Sequence, residues 1–274
     1  MNLVLNATEV NRLLDKDRRN LLIVDTRPFS DYAKGHIPGA VNIELMQFHW
    51  IDTSKAGIAQ FNRQMQILLS NLGITKDRLV IFYDDVSGPS AARGVWLLNY
   101  FSHRQVLMLD GGFEKWKKDG YPIETESNPY LHYSSSKVKR ITKPKILATY
   151  KQIKYAIHNE NKNKNKNVII VDSRSNSEFN GSLIRAAKAG HIPNAINIDW
   201  NENIERNGIF KDSQKLRKLY SRISSNAEII TYCQGGYRAA NSFIALKMLG
   251  YKNVKVYLGS WGEWGNRPDL PVEK

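Results

Sequence analysis

Short apolar runs alternate with amphipathic segments along this chain, and the alternation predicts an α/β fold. The runs occupy residues 21–24, 80–83, 168–171 and 229–232. Each is apolar at consecutive positions, which is typical of a parallel strand covered on both faces. Helical patterns stand between them, and we expect Thr8 to cap a helix over 9–15 and Thr149 to cap another over 150–157. This order of elements indicates a mainly parallel sheet with helices on both faces.

The same motifs occur twice, in the same order. The pairs are LLIVD and VIIVD at 21–25 and 168–172, GHIPGAVNI and GHIPNAINI at 35–43 and 190–198, LVIFY and EIITY at 79–83 and 228–232, and GGFEKW and GSWGEW at 111–116 and 259–264. Offsets of 147 to 155 residues make each copy about half of the 274-residue chain, which indicates a duplicated domain. We predict one domain over 1–125, a polar linker over 126–145 and a second domain over 146–274.

The positive charge is concentrated in one stretch of the chain. The formal net charge is +14, and residues 137–166 hold ten basic residues and a single acidic one, Glu160. No zinc-finger or helix-turn-helix spacing accompanies this stretch, so we interpret it as a solvated linker and loop and expect no nucleic-acid partner. A diffuse positive field still favours encounters with small anions.

The rest of the composition is that of an ordinary globular protein. Apolar residues make up 42% and charged residues 24%. No apolar run reaches the length of about 18 residues that a membrane span needs, and the first residues show no secretory pattern. We therefore expect a cytoplasmic protein with no membrane partner. The single cysteine, Cys233, excludes an intrachain disulfide and a zinc site of several thiolates, and nothing in the sequence implies a cofactor.

Cys233 is a candidate nucleophile because of its place in the chain. It follows the strand predicted at 229–232 and precedes a helix that we expect to begin near Tyr237. Gly235 and Gly236 allow a tight bend that can turn successive N–H groups towards the sulfur, at a helix end that favours an anion. A free thiol with a pKa of about 8.5 is mostly protonated at neutral pH, so a nucleophile needs this help. The alternative is a buried cysteine that acts as a small apolar residue.

These motifs together resemble those of a known family. The repeated DxR and GHIPxAxNI, the loop at 233–238 and the closing GSWGEW are similar to the tandem-domain rhodaneses, which are the thiosulfate and 3-mercaptopyruvate sulfurtransferases. The resemblance covers nearly the whole chain. It implies two rhodanese-like domains, the first without a catalytic cysteine, and alignment of LVIFY with EIITY does place Asp84 opposite Cys233.

The resemblance also implies a ping-pong transfer of sulfur. The Cys233 thiolate would take the outer sulfur of a donor as a persulfide and pass it to cyanide or a thiol. Thiosulfate is the donor we predict, because the positive field and Arg238 suit a divalent anion, and 3-mercaptopyruvate is the alternative. A non-catalytic persulfide carrier or binding module is the alternative of another class. Cysteine-dependent phosphatases have a longer loop than Gln234, Gly235, Gly236 and Tyr237 form here, which favours sulfur transfer.

Three further side chains are candidates for the donor site. Arg238 either neutralises the donor or pairs with a carboxylate and fixes the loop. Arg185 lies in the irregular stretch 181–189, which the first half lacks and which in relatives contributes arginines to the cleft. Relatives place an arginine where this chain has Glu178. Trp200 stands where relatives have a bulky apolar residue, so we expect it to line the pocket.

Other polar residues look functional but recur in the half without a cysteine. Asp172 and Arg174 have counterparts in Asp25 and Arg27, and His191 likewise has one in the first GHIP motif. A residue that occurs in both copies, including the one without a cysteine, is explained by a structural role in the fold that the copies share. We therefore predict that these residues brace loops and turns and take no part in the chemistry.

Overall fold

The computed structural model describes residues 3–16, 20–129, 141–161 and 168–274. Within them each half forms one sheet of five parallel strands. The strands of the first sheet are β1 (Val4–Leu5), β2 (Leu21–Asp25), β3 (Val41–Asn42), β4 (Leu79–Tyr83) and β5 (Val106–Leu109). Those of the second are β6 (Leu147–Ala148), β7 (Val168–Asp172), β8 (Ile196–Asn197), β9 (Glu228–Tyr232) and β10 (Val254–Tyr257). The spatial orders, β1-β5-β4-β2-β3 and β6-β10-β9-β7-β8, are the same topology used twice.

Five α-helices accompany each sheet in the described residues. In the first half they are α1 (Ala7–Lys16), α2 (Phe29–Tyr32), α3 (Lys55–Asn71), α4 (Pro89–Tyr100) and α5 (Gly112–Lys118). In the second half they are α6 (Tyr150–Asn161), α7 (Asn176–Phe179), α8 (Ser213–Leu219), α9 (Tyr237–Met248) and α10 (Ser260–Trp264). The predicted α/β class and the duplication are therefore confirmed. Each of the four predicted strands is one residue longer than its apolar run, because a flanking residue continues the parallel pairing.

The predicted start of the first helix is wrong, and the structure shows why. Helix α1 begins at Ala7, because Asn6 caps it instead of Thr8. The Asn6 Oδ1 atom accepts from the Glu9 N–H (2.9 Å), and Glu9 Oε2 accepts from the Asn6 N–H (2.8 Å), a reciprocal cap. Thr8 instead shares a hydrogen bond with the Tyr121 hydroxyl. In the second half Thr149 directly precedes α6, as predicted.

The two halves share one core. Helix α4 of the first half packs along α9 of the second. Each of these helices follows the central strand of its own sheet, β4 or β9. The apolar cluster around them contains buried residues of both halves, from Val80 and Trp96 to Ile229 and Phe243. The ends of β4 and β9, where their loops begin, are thereby held beside the interface.

Buried hydrogen bonds fix how the halves meet. Thr53 of the first half donates to Glu263 of the second through its N–H (2.9 Å) and its hydroxyl (2.6 Å). The Asn241 side-chain amide donates to the Ser87 carbonyl across the same interface (2.7 Å). Because buried polar groups are costly when unpaired, these bonds specify one orientation of the halves.

Parts of two sequence predictions lie outside the described residues. They are residues 130–140 of the predicted linker and residues 137–140 and 162–166 of the basic stretch. The domain boundaries therefore stay predictions. No helix in the described part of the chain is both long and apolar enough to cross a bilayer.

Candidate active site

Cys233 stands between β9 and α9, where the sequence placed it. Its N–H donates to the Ser260 hydroxyl (3.2 Å), and its carbonyl accepts from the Trp261 N–H (2.8 Å). The Gln234 carbonyl accepts in turn from the Gly262 N–H (2.8 Å). N–H groups of α10 thus hold the loop by donating to the loop's carbonyls. In a planar trans peptide the N–H points opposite to the C=O, so the N–H groups of Gln234 and Gly235 point away from α10.

One amide reaches the sulfur directly. The Gly236 N–H donates to Cys233 Sγ at 3.1 Å. Gly236 has φ 84°, a left-handed conformation that glycine adopts without strain, and this bend begins α9. The sequence predicted several inward N–H groups, whereas among the described residues only this one bonds to Sγ. A single amide and a helix N-terminus therefore face the thiol.

The thiol is more enclosed than its place on a bend suggests. Cys233 is only 1% exposed and belongs to the apolar cluster that both halves share. Cys233 thus has the burial expected of an apolar residue together with an amide bonded to its sulfur, so its role as a nucleophile stays a prediction.

Arg238 and Arg185 meet on one carboxylate. Arg238 makes a two-pronged ion pair with Glu178, at 2.5 and 3.0 Å, and the Arg185 Nε lies 3.3 Å from Glu178 Oε1. Burial alone would raise the pKa of Glu178, but the bond and charge of Arg238, with the bonds from Ser175, lower it to about 2. Burial would likewise lower the pKa of Arg238, which Glu178 and Cys233 raise instead. Glu178, the departure from relatives noted in the sequence, is thus the centre of this cluster.

The remaining loop residues are held by both halves. The Gln234 side-chain amide donates to the Arg185 carbonyl (3.1 Å), which joins the loop to the irregular stretch 181–189. Tyr237 is buried, and its hydroxyl donates to the Leu45 carbonyl of the first half (2.5 Å). Arg185 itself is largely exposed. The structure therefore brings Arg185, Gln234 and Arg238 together beside Cys233.

Trp200 is less closely associated with the loop. It begins a short 3-10 helix, Trp200–Asn203, and is half-buried. No hydrogen bond or ring contact joins its side chain to residues 233–238 in the part of the chain that the structure describes. Its role as a pocket wall stays a prediction.

The first half contributes two residues that sequence reasoning missed. His49 covers Gly235 so closely that a Cβ atom there would lie 1.8 Å from His49 Cε1. Burial, with the charge of Arg93, lowers the pKa of His49, so its imidazole is neutral at pH 7. Arg93 lies on the far side of Gly236, where a Cβ atom would be 3.2 Å from its Nη1. Arg93 could have been noticed as a lone charge in the otherwise apolar run of α4, but His49 carries no such signal.

Asp84 occupies in the first half the place that Cys233 has in the second. It follows β4 directly, and its carboxylate accepts from the Ser90 N–H (3.0 Å) near the start of α4. Burial raises the pKa of Asp84, although the N–H groups of Asp85, Ser90 and Ala91 oppose that shift. The loop of the first half therefore has a carboxylic acid at the position where the loop of the second half has a thiol.

The residues predicted to brace loops make bracing contacts. Arg174 forms a two-pronged pair with Asp172 and donates to the Gly190 carbonyl (2.8 Å). The same contacts recur around Arg27 in the first half. His191 stacks on Phe179 at 3.7 Å, and its Nδ1 lies 2.9 Å from the Phe179 carbonyl. These groups fix the ends of β7 and the following turn.

Comparisons with known proteins agree with this architecture. A family model described as a rhodanese-like domain matches residues 6–119 and 156–267. The chain is 31% identical to a thiosulfate sulfurtransferase of Pseudomonas aeruginosa, with 92% of this chain and 91% of the relative covered. It is 30% identical to one of Azotobacter vinelandii, with coverage of 92% and 91%. It is also 32% identical to the sulfur carrier protein TtuD of Thermus thermophilus, with coverage of 89% and 87%.

Solved structures share the fold. The crystal structure of YnjE superposes with a TM-score of 0.84 at 23% identity, over 99% of this chain and 68% of that one. An anaerobic ergothioneine biosynthesis enzyme from Chlorobium limicola superposes with a TM-score of 0.85 at 20% identity, over 100% and 70%. At such identities the likeness supports the fold alone.

Proposed function

Because this chain belongs to the rhodanese family and is a sulfurtransferase, we propose that it moves a sulfane sulfur from thiosulfate to a thiol or cyanide through a persulfide on Cys233. The observation that carries the proposal is the hydrogen bond from the Gly236 N–H to Cys233 Sγ at the start of α9. An amide donor and a helix N-terminus both favour sulfur as an anion, which is the reactive form.

The reaction balances without a cofactor. The Cys233 thiolate attacks the outer sulfur of thiosulfate, an S–S bond forms to the enzyme, and the S–S bond to sulfite breaks. Sulfite leaves with the bonding pair, so the enzyme keeps one negative charge as the persulfide. Cyanide or an acceptor thiolate then bonds to the outer sulfur and restores the Cys233 thiolate. Neither step needs a protein base.

The loop offers further donors for the persulfide. The N–H groups of Gln234 and Gly235 point away from α10 and form no bond to the thiol, so they are free for a larger anion in the same loop. A persulfide places its charge on the outer sulfur, farther from Cys233 Cβ than the thiolate charge. The Gln234 and Gly235 amides, which form no bond to the thiol, are thus suited to bind the outer sulfur of the persulfide.

The charge beside the loop favours thiosulfate over 3-mercaptopyruvate. Two arginines, Arg185 and Arg238, share the single carboxylate of Glu178, so the cluster keeps one positive charge. Arg185 is the exposed member and is able to turn from Glu178 to an incoming anion. A divalent donor gains more from this charge than a monovalent one.

A persulfide carrier is the second candidate function. The similarity to a protein named sulfur carrier favours it, and so does the deep burial of Cys233, which would protect a stored persulfide. A carrier loads sulfur once and turns over only when its partner removes it. The two functions share the loop chemistry and differ in how fast a small acceptor discharges Cys233.

Steady-state assays with cyanide and either donor test the proposal. We expect turnover with thiosulfate that exceeds turnover with 3-mercaptopyruvate, and no turnover in Cys233→Ser. Intact mass spectrometry before cyanide is added should show one extra sulfur on the wild type and none on the variant. One bound sulfur without turnover would favour the carrier, a preference for 3-mercaptopyruvate would overturn the donor, and turnover in Cys233→Ser would refute the mechanism.

A further inference from the structure

Arg93 is a buried cation in a helix that is otherwise apolar on this face. It is 3% exposed and lies near the middle of α4, in the half that has no cysteine. Its guanidinium stacks on aromatic rings, with Cζ 4.5 Å from the Trp96 centroid, 5.3 Å from Tyr237 and 5.8 Å from Phe61. These faces offset part of the cost of burying the charge. They do not supply a counter-charge.

No carboxylate neutralises Arg93. In the described residues its guanidinium makes no ion pair and no hydrogen bond, and Nη1 is a fully buried donor without a partner. Of the other buried arginines, Arg27 binds Asp25 and Arg174 binds Asp172, whereas Arg78 donates to backbone carbonyls. Burying a cation without a partner costs folding free energy, so we expect an anion to lie near Arg93.

Arg93 approaches the loop that holds the sulfur of Cys233. The Arg93 Nη1 atom lies 3.2 Å from the position of a Cβ at Gly236, and the N–H of that same glycine donates to Sγ. Burial lowers the pKa of Arg93, and the two ionisable groups that oppose this shift are Tyr237 and Cys233. The hydroxyl of Tyr237 is a donor to Leu45, and burial raises its pKa, so it stays neutral at pH 7. Among the described residues, this leaves Cys233 as the group that can serve as counter-ion.

The internal duplication separates this role from simple packing. Helices α4 and α9 begin 148 residues apart. The residue at the same offset from Arg93 is Asn241. Asn241 donates to the Ser87 carbonyl and so fastens the loop that contains Asp84. A neutral amide is sufficient for that task. Arg93, in the equivalent place, instead faces the loop that contains Cys233, and its Nη1 donor has no partner.

We propose that Arg93, supplied by the domain without a nucleophile, is the counter-ion of the anionic sulfur on Cys233. It acts with the Gly236 amide and holds the charge of the thiolate and then of the persulfide in the core between the halves. The inference rests on Cys233 being the reactive residue. It makes the first domain an electrostatic part of the site in the second.

The test measures the ionisation of Cys233 without any sulfur donor, so that it does not depend on turnover. Because the chain has a single cysteine, the pH profile of its alkylation by iodoacetamide, followed by mass spectrometry, gives the thiol pKa. We expect the wild-type pKa to lie below the ordinary value of about 8.5. Arg93→Met should raise it by at least about one unit and slow alkylation at pH 7 about tenfold or more, and Arg93→Lys should recover most of the shift.

The matched control is Arg78→Met. Arg78 is also a buried arginine of the first half, and it donates to the carbonyls of Gly73 and Leu21. It stands just before β4, at the end of that strand opposite to the loop of Asp84. Its loss should lower stability and leave the thiol pKa unchanged. An unshifted pKa in folded Arg93→Met would overturn the proposal. If that variant does not fold, a wild-type pKa at or above about 8.5 overturns it equally. A low pKa without persulfide formation would instead refute the proposed function and leave Arg93 as the counter-ion.

Discussion

At the scale of single residues, the position of Cys233 follows from the sequence but its environment does not. The strand run, the two glycines and the helix start predict a thiol on a bend, and the structure has it there. Its 1% exposure could not be predicted, because it belongs to an apolar cluster that residues of both halves form. His49 and Arg93 precede Cys233 by well over a hundred residues, and no local pattern relates them to the loop.

The enclosure of Cys233 predicts selectivity by size. A bulky maleimide should alkylate the native protein at least about ten times more slowly, relative to iodoacetamide, than it alkylates a free thiol at the same pH. The physical reason is the burial of Cys233, which is only 1% exposed. Thiol modification followed by mass spectrometry measures both rates. In guanidinium the two reagents should differ no more than with free cysteine, and equal ratios in the native protein would contradict the described burial.

Arg185 offers a second prediction at this scale. Arg185→Ala should raise the KM for thiosulfate about fivefold and leave kcat nearly unchanged, since an exposed charge is worth about 1 kcal/mol to a bound anion. Arg217→Ala, on α8, removes an exposed arginine of the same half and should change neither constant. Initial rates over a range of donor concentrations measure both. An unchanged KM for Arg185→Ala would remove this residue from the site.

At the scale of elements, four strands and the helices that begin near Glu9, Tyr150 and Tyr237 could be predicted, whereas the longest helix, α3, and the other strands were not. Continuous apolar runs identified β2, β4, β7 and β9, because parallel strands in the interior of a sheet are buried on both faces. The start of α1 was missed since Asn6 and Thr8 both precede the same apolar positions, and only the reciprocal bond with Glu9 decides between them. Glu178 caps α7 through Ser175 and also holds Arg238, a double role that its sequence position does not reveal.

This double role predicts a pH-dependent contribution to stability. The folded pKa of Glu178, about 2, lies below its ordinary value of 4.5, so its stabilisation is complete above pH 4.5 and is lost as the pH falls towards 2. Glu178→Gln should therefore lower the free energy of unfolding by about 2 kcal/mol at pH 7, after allowance for solvent screening at the exposed side of Arg238. The difference from wild type should shrink between pH 4.5 and 2.

Urea denaturation at a series of pH values measures this difference. Glu202→Gln is the control, because its ion pair with Lys211 lies on the surface at 3.4 Å. That variant should differ little from wild type at any pH. A destabilisation of Glu178→Gln that stayed constant down to pH 2 would show that the carboxylate charge is not its cause.

At the scale of the whole molecule, duplication was readable from the sequence and the interface was not. Repeated motifs fix the two sheets and their common topology, yet they say nothing of how two copies meet. The shared core around α4 and α9 and the bonds from Thr53 to Glu263 settle that in the structure. They join the two halves through a shared core and buried hydrogen bonds.

We accordingly expect one unfolding transition for the full chain. Far-ultraviolet circular dichroism and tryptophan fluorescence should give coincident denaturation curves. Thr53→Val removes a hydroxyl bond to a buried carboxylate and should shift the whole curve by about 1.5–3 kcal/mol. Thr8→Val, which removes an exposed hydroxyl bond to Tyr121, should shift it far less. Two separate transitions would show that the halves unfold independently.

The contact of His49 with Gly235 sets how this scaffold can diversify. A methyl group at position 235 would collide with the imidazole, and Gly236 needs its left-handed bend, whereas Gln234 is only half-buried. Mutant libraries that seek new donors can therefore randomise position 234 by itself. Position 235 should tolerate change only when position 49 changes with it, so these two sites, in different halves, are expected to covary among descendants of this chain.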